Sequence, residues 1–94
     1  QQEWAAYPPG FVAAYSNVGY DVLGHMVENV SGESFQDYMQ GAIFNPLGMT
    51  HSAYVETPKI QRLLARGYRN GETEELLPIR DLPAYGMLSS ATDL

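Results

Sequence analysis

Tyr15 and Asn17 stand two positions apart in the stretch Pro9-Gly10-Phe11-Val12-Ala13-Ala14-Tyr15-Ser16-Asn17-Val18-Gly19-Tyr20. There a short apolar run meets the start of a helix-periodic segment. A carboxamide can donate to a carbonyl oxygen and accept from an ammonium group. A phenol ionises near pH 10, so it acts as a base at neutral pH only where cations lower that value. Together the two side chains could hold a polar carbonyl compound and move a proton beside it. A purely structural reading stands next to this one, with Tyr15 covering a core edge and Asn17 capping a helix. Ser16, between them, reads as a cap rather than a nucleophile, because Tyr-Ser-Asn lacks the Gly-x-Ser-x-Gly elbow.

Other reactive residue types read as structural. His25 falls on the polar side of the first helix and is expected to be solvated. His51 and Ser52 make a poor dyad, since neighbours in an extended segment point to opposite faces. Glu72, Glu74 and Glu75 surround a turn, and no spaced ligand loop turns them into a calcium site. Arg62, Arg66 and Arg69 balance those acids. The chain has no cysteine, which excludes disulfides, thiolate metal sites and cysteine nucleophiles. No metal or cofactor is expected.

Five basic and eleven acidic side chains leave a net charge of −6, which argues against a nucleic-acid partner. No run of about 18 apolar residues is present, so no membrane span is expected. Gln1 does not open a charged-then-apolar leader, so no secretory signal is expected in this chain.

The elements that must position Tyr15 and Asn17 follow from periodicity. Residues 1–94 fit a single domain, with Trp4 and Tyr7 in an approach loop against a core edge. A first helix is expected near 17–31, with Val18, Val22, Leu23, Met26, Val27 and Val30 on one stripe. Asp21, His25, Glu28 and Asn29 take the opposite face. Gly19 and Gly24 each cost a helix roughly 1 kcal/mol relative to Ala, so something should pack tightly there. Gly32 supplies the left-handed C-terminal residue.

A second helix is expected near 34–44, opened by Ser34 with Asp37 in a capping-box variant and stopped by Asn45-Pro46-Leu47-Gly48. The short connection makes the two helices an antiparallel or crossing pair. Pro58 to Leu64 reads as one helical turn. A hairpin is expected near 65–80 around Asn70-Gly71, and a ribbon that small needs something to lie on. Pro83-Ala84-Tyr85-Gly86 reads as a loop. Ser90-Ala91-Thr92-Asp93 is a capping box that starts a further helix at 90–94. The fold class is mainly α with a small β-hairpin (α+β).

The run from Pro9-Gly10 through Tyr15-Ser16-Asn17-Val18-Gly19-Tyr20 to Leu23-Gly24 resembles the second motif of the penicillin-recognising serine hydrolases. These include class C β-lactamases, D-Ala-D-Ala peptidases and related esterases. The resemblance continues through Ser31-Gly32-Glu33-Ser34-Phe35, Ile43 to Ser52 and Ala65 to Gly71. It closes on Ala84-Tyr85-Gly86-Met87-Leu88-Ser89-Ser90-Ala91-Thr92-Asp93-Leu94. It thus covers nearly the whole chain, in the right order of blocks.

The resemblance implies part of the helical subdomain of a β-lactamase-like fold. It implies a proton-transfer role for Tyr15 and substrate-amide binding for Asn17. It also implies a periplasmic or extracellular parent acting on a small amide or ester. The family's Ser-x-x-Lys is absent, since the sole lysine is Lys59 and Glu56 lies three residues before it. The Lys-Thr-Gly or His-x-Gly motif is absent too. The chain is therefore expected to contain no nucleophile and to be inactive by itself. The competing expectation is a free-standing, non-catalytic helical module that binds or self-associates through its apolar helix faces.

Overall fold

Ser16 opens the first helix. Its backbone is extended, with φ −150° and ψ 108°, and its hydroxyl accepts the Gly19 N–H at 3.0 Å. That bond satisfies one of the donors a helix start leaves orphaned. The computed structural model describes residues 5–75 and 78–94. In chain order it contains α1 (Asn17–Ser31), α2 (Phe35–Met39), a π-helical turn (Gln40–Phe44), α3 (Pro58–Leu63), β1 (Gly67–Arg69), β2 (Glu72–Glu74) and α4 (Leu82–Tyr85). Trp4 lies outside the described residues. Tyr7 is largely exposed and stacks on Phe11 rather than covering a core edge.

α1 ends at Gly32, whose φ of 74° is the left-handed conformation that glycine adopts without a steric penalty. Two residues later Ser34 caps α2, accepting the Asp37 N–H at 3.3 Å while donating its own hydroxyl to the Asp37 carboxylate at 2.6 Å. The Phe35 N–H is satisfied by Glu28 Oε1 at 2.9 Å, which ties the start of α2 to α1. The second helical region is not one α-helix over 34–44. It changes to π geometry at Gln40, and the Asn45 N–H reaches back five residues to the Gln40 carbonyl at 3.0 Å.

α1 and α4 touch where Gly24 stands. A Cβ built there would lie 2.2 Å from Pro83 Cγ, so only glycine lets α4 come this close. α4 occupies the stretch that reads as a loop in sequence. Its two short-range bonds to the Asp81 carbonyl and one from Gly86 to Leu82 hold a single turn.

The core lies between α2, the π turn and the chain beyond it. Phe35 and Phe44 are buried and clasp the Tyr54 ring, Phe35 edge-on at 4.9 Å and Phe44 stacked at 5.9 Å. Burial raises the pKa of Tyr54. Ile60 on α3 and Ala53 complete it. Ala53 and Leu88 form an isolated antiparallel bridge, exchanging both backbone hydrogen bonds at 2.9 and 2.8 Å.

β1 and β2 are antiparallel, with Tyr68 opposite Thr73. Their two-residue turn has φ 52° at Asn70 and 83° at Gly71, the primed geometry that Asn-Gly favours. The strands are shorter than the span 65–80, and every residue in them is exposed. An Arg69–Glu74 ion pair at 2.8 Å crosses the ribbon.

α1 meets the rest of the chain through the side that carries Gly24. Its apolar stripe faces outward: Val18, Val22, Leu23, Met26 and Val30 are all more than half exposed. The covered side carries Gly24, with Asp21 and Glu28 half-buried. Periodicity shows which residues share a face, while the neighbours decide which face is covered. The dimensions agree with this openness. A compact chain of this length has a radius of gyration of about 12 Å and an accessible surface of about 5,400 Å². The observed values are 16.6 Å and 8058 Å².

Candidate functional site

Tyr15 is the last residue before the α1 cap, and Asn17 is the first residue of α1. Ser16 between them is extended, so the side chains on either side of it leave in the same general direction. The Ser16 hydroxyl is turned back onto the helix end. This removes the structural reading of Asn17, because Ser16 and not Asn17 is the cap. Tyr15 is 93% exposed and covers no core edge among the described residues. Asn17 is exposed as well. A phenol and a carboxamide thus stand in solvent at a helix start, where capping is already complete.

A crevice between α1 and α4 runs along the middle of α1, from Asp21 to Glu28. About 240 Å³ in volume, it is lined by Asp21, Gly24, Glu28, Arg80, Asp81 and Pro83, among others. Asp21 lies one helical turn beyond Asn17 on the same side. Its Oδ1 is enclosed without a hydrogen-bond partner among the described residues. Tyr85 donates to Asp81 Oδ2 at 3.4 Å. The Asp81 charge, more than any other cause, raises the Tyr85 pKa.

The remaining candidates lie elsewhere. His25 is exposed and pairs loosely with Glu28 at 3.7 Å. Lys59 donates to the Thr50 carbonyl at 2.7 Å and has no part in a Ser-x-x-Lys. His51 and Ser52 do approach one group, contrary to the opposite-face expectation. Ser52 Oγ donates to Asp93 Oδ2 at 2.7 Å, and His51 Nδ1 lies 3.8 Å from Asp93 Oδ1. The carboxylate sits between hydroxyl and imidazole, so the histidine is not the base for this serine. Ser52 is also buried. Sequence reasoning missed Asp93 as a partner, because a capping-box pattern accounts for it locally and nothing nearby points to position 52. Among the described residues, no group of three or more His, Asp or Glu side chains is disposed to hold a metal ion. No helix there is long and apolar enough to cross a membrane.

The family model for beta-lactamase matches residues 1–94, the full chain. The chain belongs to the beta-lactamase family. A beta-lactamase of Escherichia coli (strain K12) is 33% identical over 95 residues, covering 99% of this chain and 25% of that protein. Protein flp of Staphylococcus aureus (strain N315) is 32% identical over 93 residues, covering 94% of this chain and 19% of that protein. Among solved structures, the D-alanine carboxypeptidase AmpC from Burkholderia cenocepacia superposes with a TM-score of 0.78 at 30% identity. That match covers 94% of this chain and 26% of that one. The chain thus spans a fifth to a quarter of the length of these relatives. Mainly helical with a two-stranded hairpin among the described residues, it has the fold of that part of the family.

Proposed function

We propose that residues 1–94 form one wall of the active site of a beta-lactamase-like serine hydrolase. In this reading Tyr15 moves a proton beside the nucleophile, and Asn17 holds the amide side chain of the substrate. The nucleophile belongs to a Ser-x-x-Lys that the chain does not contain. The reaction would be acylation of that serine by a β-lactam, a D-Ala peptide or an ester, followed by hydrolysis of the acyl-enzyme. One observation carries the reading. Ser16 completes the cap of α1, so the exposed Tyr15 and Asn17 are left without a structural task. The outward apolar stripe of α1 supports the same view, since a larger fold would cover it.

The test is Tyr15→Phe in the longer protein that this reading requires. Turnover of nitrocefin or a p-nitrophenyl ester is expected to fall about 100-fold or more, as for loss of a general acid–base group. Unchanged turnover would remove Tyr15 from the mechanism. Chain 1–94 alone is expected to hydrolyse neither compound. Hydrolysis by that chain, persisting in Ser16→Ala, would show that a nucleophile had been overlooked. The exposed stripe also gives the self-association reading its motive; light scattering of the 94-residue chain distinguishes a pair from a monomer.

A further inference from the structure

Two segments distant in sequence meet at one carboxylate. Asp93 Oδ2 accepts the His51 N–H at 2.7 Å and the Ser52 hydroxyl at 2.7 Å, contacts that span 42 and 41 positions. The Ser52 Oγ also meets Ser89 Oγ at 2.8 Å. The Asp93 side chain is only 5% exposed, and its backbone N–H is held by Ser90 Oγ at 3.3 Å. Next to this cluster lies the Ala53–Leu88 bridge. Its two backbone bonds are few for a pairing so distant in sequence, because closing a long loop costs entropy that a single bridge barely offsets.

We propose that the Asp93 carboxylate is an acid-released clamp that holds segments 51–53 and 88–93 together, so that they part when it is protonated. An ionised carboxylate only accepts, and both donors at Oδ2 suit that state. A protonated carboxyl brings its own O–H into a site that already holds a hydroxyl and an N–H donor. The geometry therefore favours the charged form. The Ser52 hydroxyl is the chief cause that holds Asp93 below the usual carboxylate range; burial opposes it and the His51 N–H assists. A carboxylate whose folded pKa is depressed contributes stability above its unfolded value, about 4, and loses that contribution as pH falls through the folded value. The pH window for release thus lies below about 4. The titratable group facing Asp93 is His51, at 3.8 Å. The Lys59 ammonium on α3 is engaged by the Thr50 carbonyl next door. Ser52, Ser89 and Ser90 contribute only neutral hydroxyls.

Amide hydrogen exchange of the 94-residue chain between pH 3 and 7 tests the clamp. Protection of the Ala53 and Leu88 amides is followed relative to amides inside α1. Relative protection should fall several-fold between pH 5 and pH 3, as linkage to a single carboxylate with an unfolded pKa of about 3.9 allows. Asp93→Asn should show low, pH-independent protection at Ala53 and Leu88 with α1 unaltered. Ser52→Ala should move the loss up toward the ordinary carboxylate range. Full protection in Asp93→Asn would overturn the proposal. So would a transition in the imidazole range near pH 6.5, or no protection of these amides in the wild-type chain at neutral pH.

Discussion

Ser16 is the residue on which the site geometry turns. One hydroxyl accepts one N–H, at 3.0 Å, and thereby decides that Asn17 is free for other work. Ser16→Ala should cost α1 about 1 kcal/mol, the usual value of such a cap. Urea unfolding followed by circular dichroism measures it. Unchanged stability would mean that another group, Asn17 foremost, takes over the cap. Capping by Ser16, Ser34 and Gly32 is legible in the sequence because it acts over two to four residues. The role of Asp93 is not, because its partners lie 41 and 42 positions away. The chemical types at Tyr15 and Asn17 are equally legible, and the ordered blocks around them point to the family. Their roles in catalysis stay with the proposal, since the groups they would act upon are not in this chain.

At the scale of elements, glycine decides how α4 sits. Gly24→Ala would put a methyl where Pro83 now lies. Overpacking of this kind typically costs about 1–3 kcal/mol, more than the roughly 1 kcal/mol that alanine gains in a helix over glycine. A net loss of stability and exposure of α4 to proteolysis are expected; a more stable Gly24→Ala chain would contradict the contact. Of the two glycines in the periodic stretch, Gly24 marks close packing, whereas Gly19 faces only Ser16 of its own cap. α4 is illegible in the sequence for a clear reason. Leu82-Pro83-Ala84-Tyr85 has one helical turn's worth of residues, too few to nucleate alone, and it stands because α1 lies under it. The ribbon shows the opposite balance: Asn70-Gly71 specifies its turn locally, while both strands remain exposed.

At the scale of the molecule, α1 exposes the side that its periodicity marks as apolar. Leu23, 55% exposed, illustrates the consequence. Leu23→Ser should change the stability of the 94-residue chain by less than about 0.5 kcal/mol, as for a surface position. The same substitution should destabilise the longer protein by several-fold more if the stripe is covered there. Thermal melts of both forms measure the difference, and equal effects would place the stripe in solvent in each. The π turn carries a different consequence, for the spacing of the chain. A π turn holds one residue more than an α turn over the same rise. Deleting Gly41, which is exposed, would therefore convert Gln40–Phe44 to ordinary α-helix while Phe44 keeps its seat against Tyr54. A deletion inside α1 has no such slack, because it turns everything beyond it by about 100°. The chain should thus tolerate a missing residue at Gly41 and melt near the parent temperature, whereas loss of Met26 should unfold it. The gene can shorten at that turn and leave the phase of every later residue unchanged.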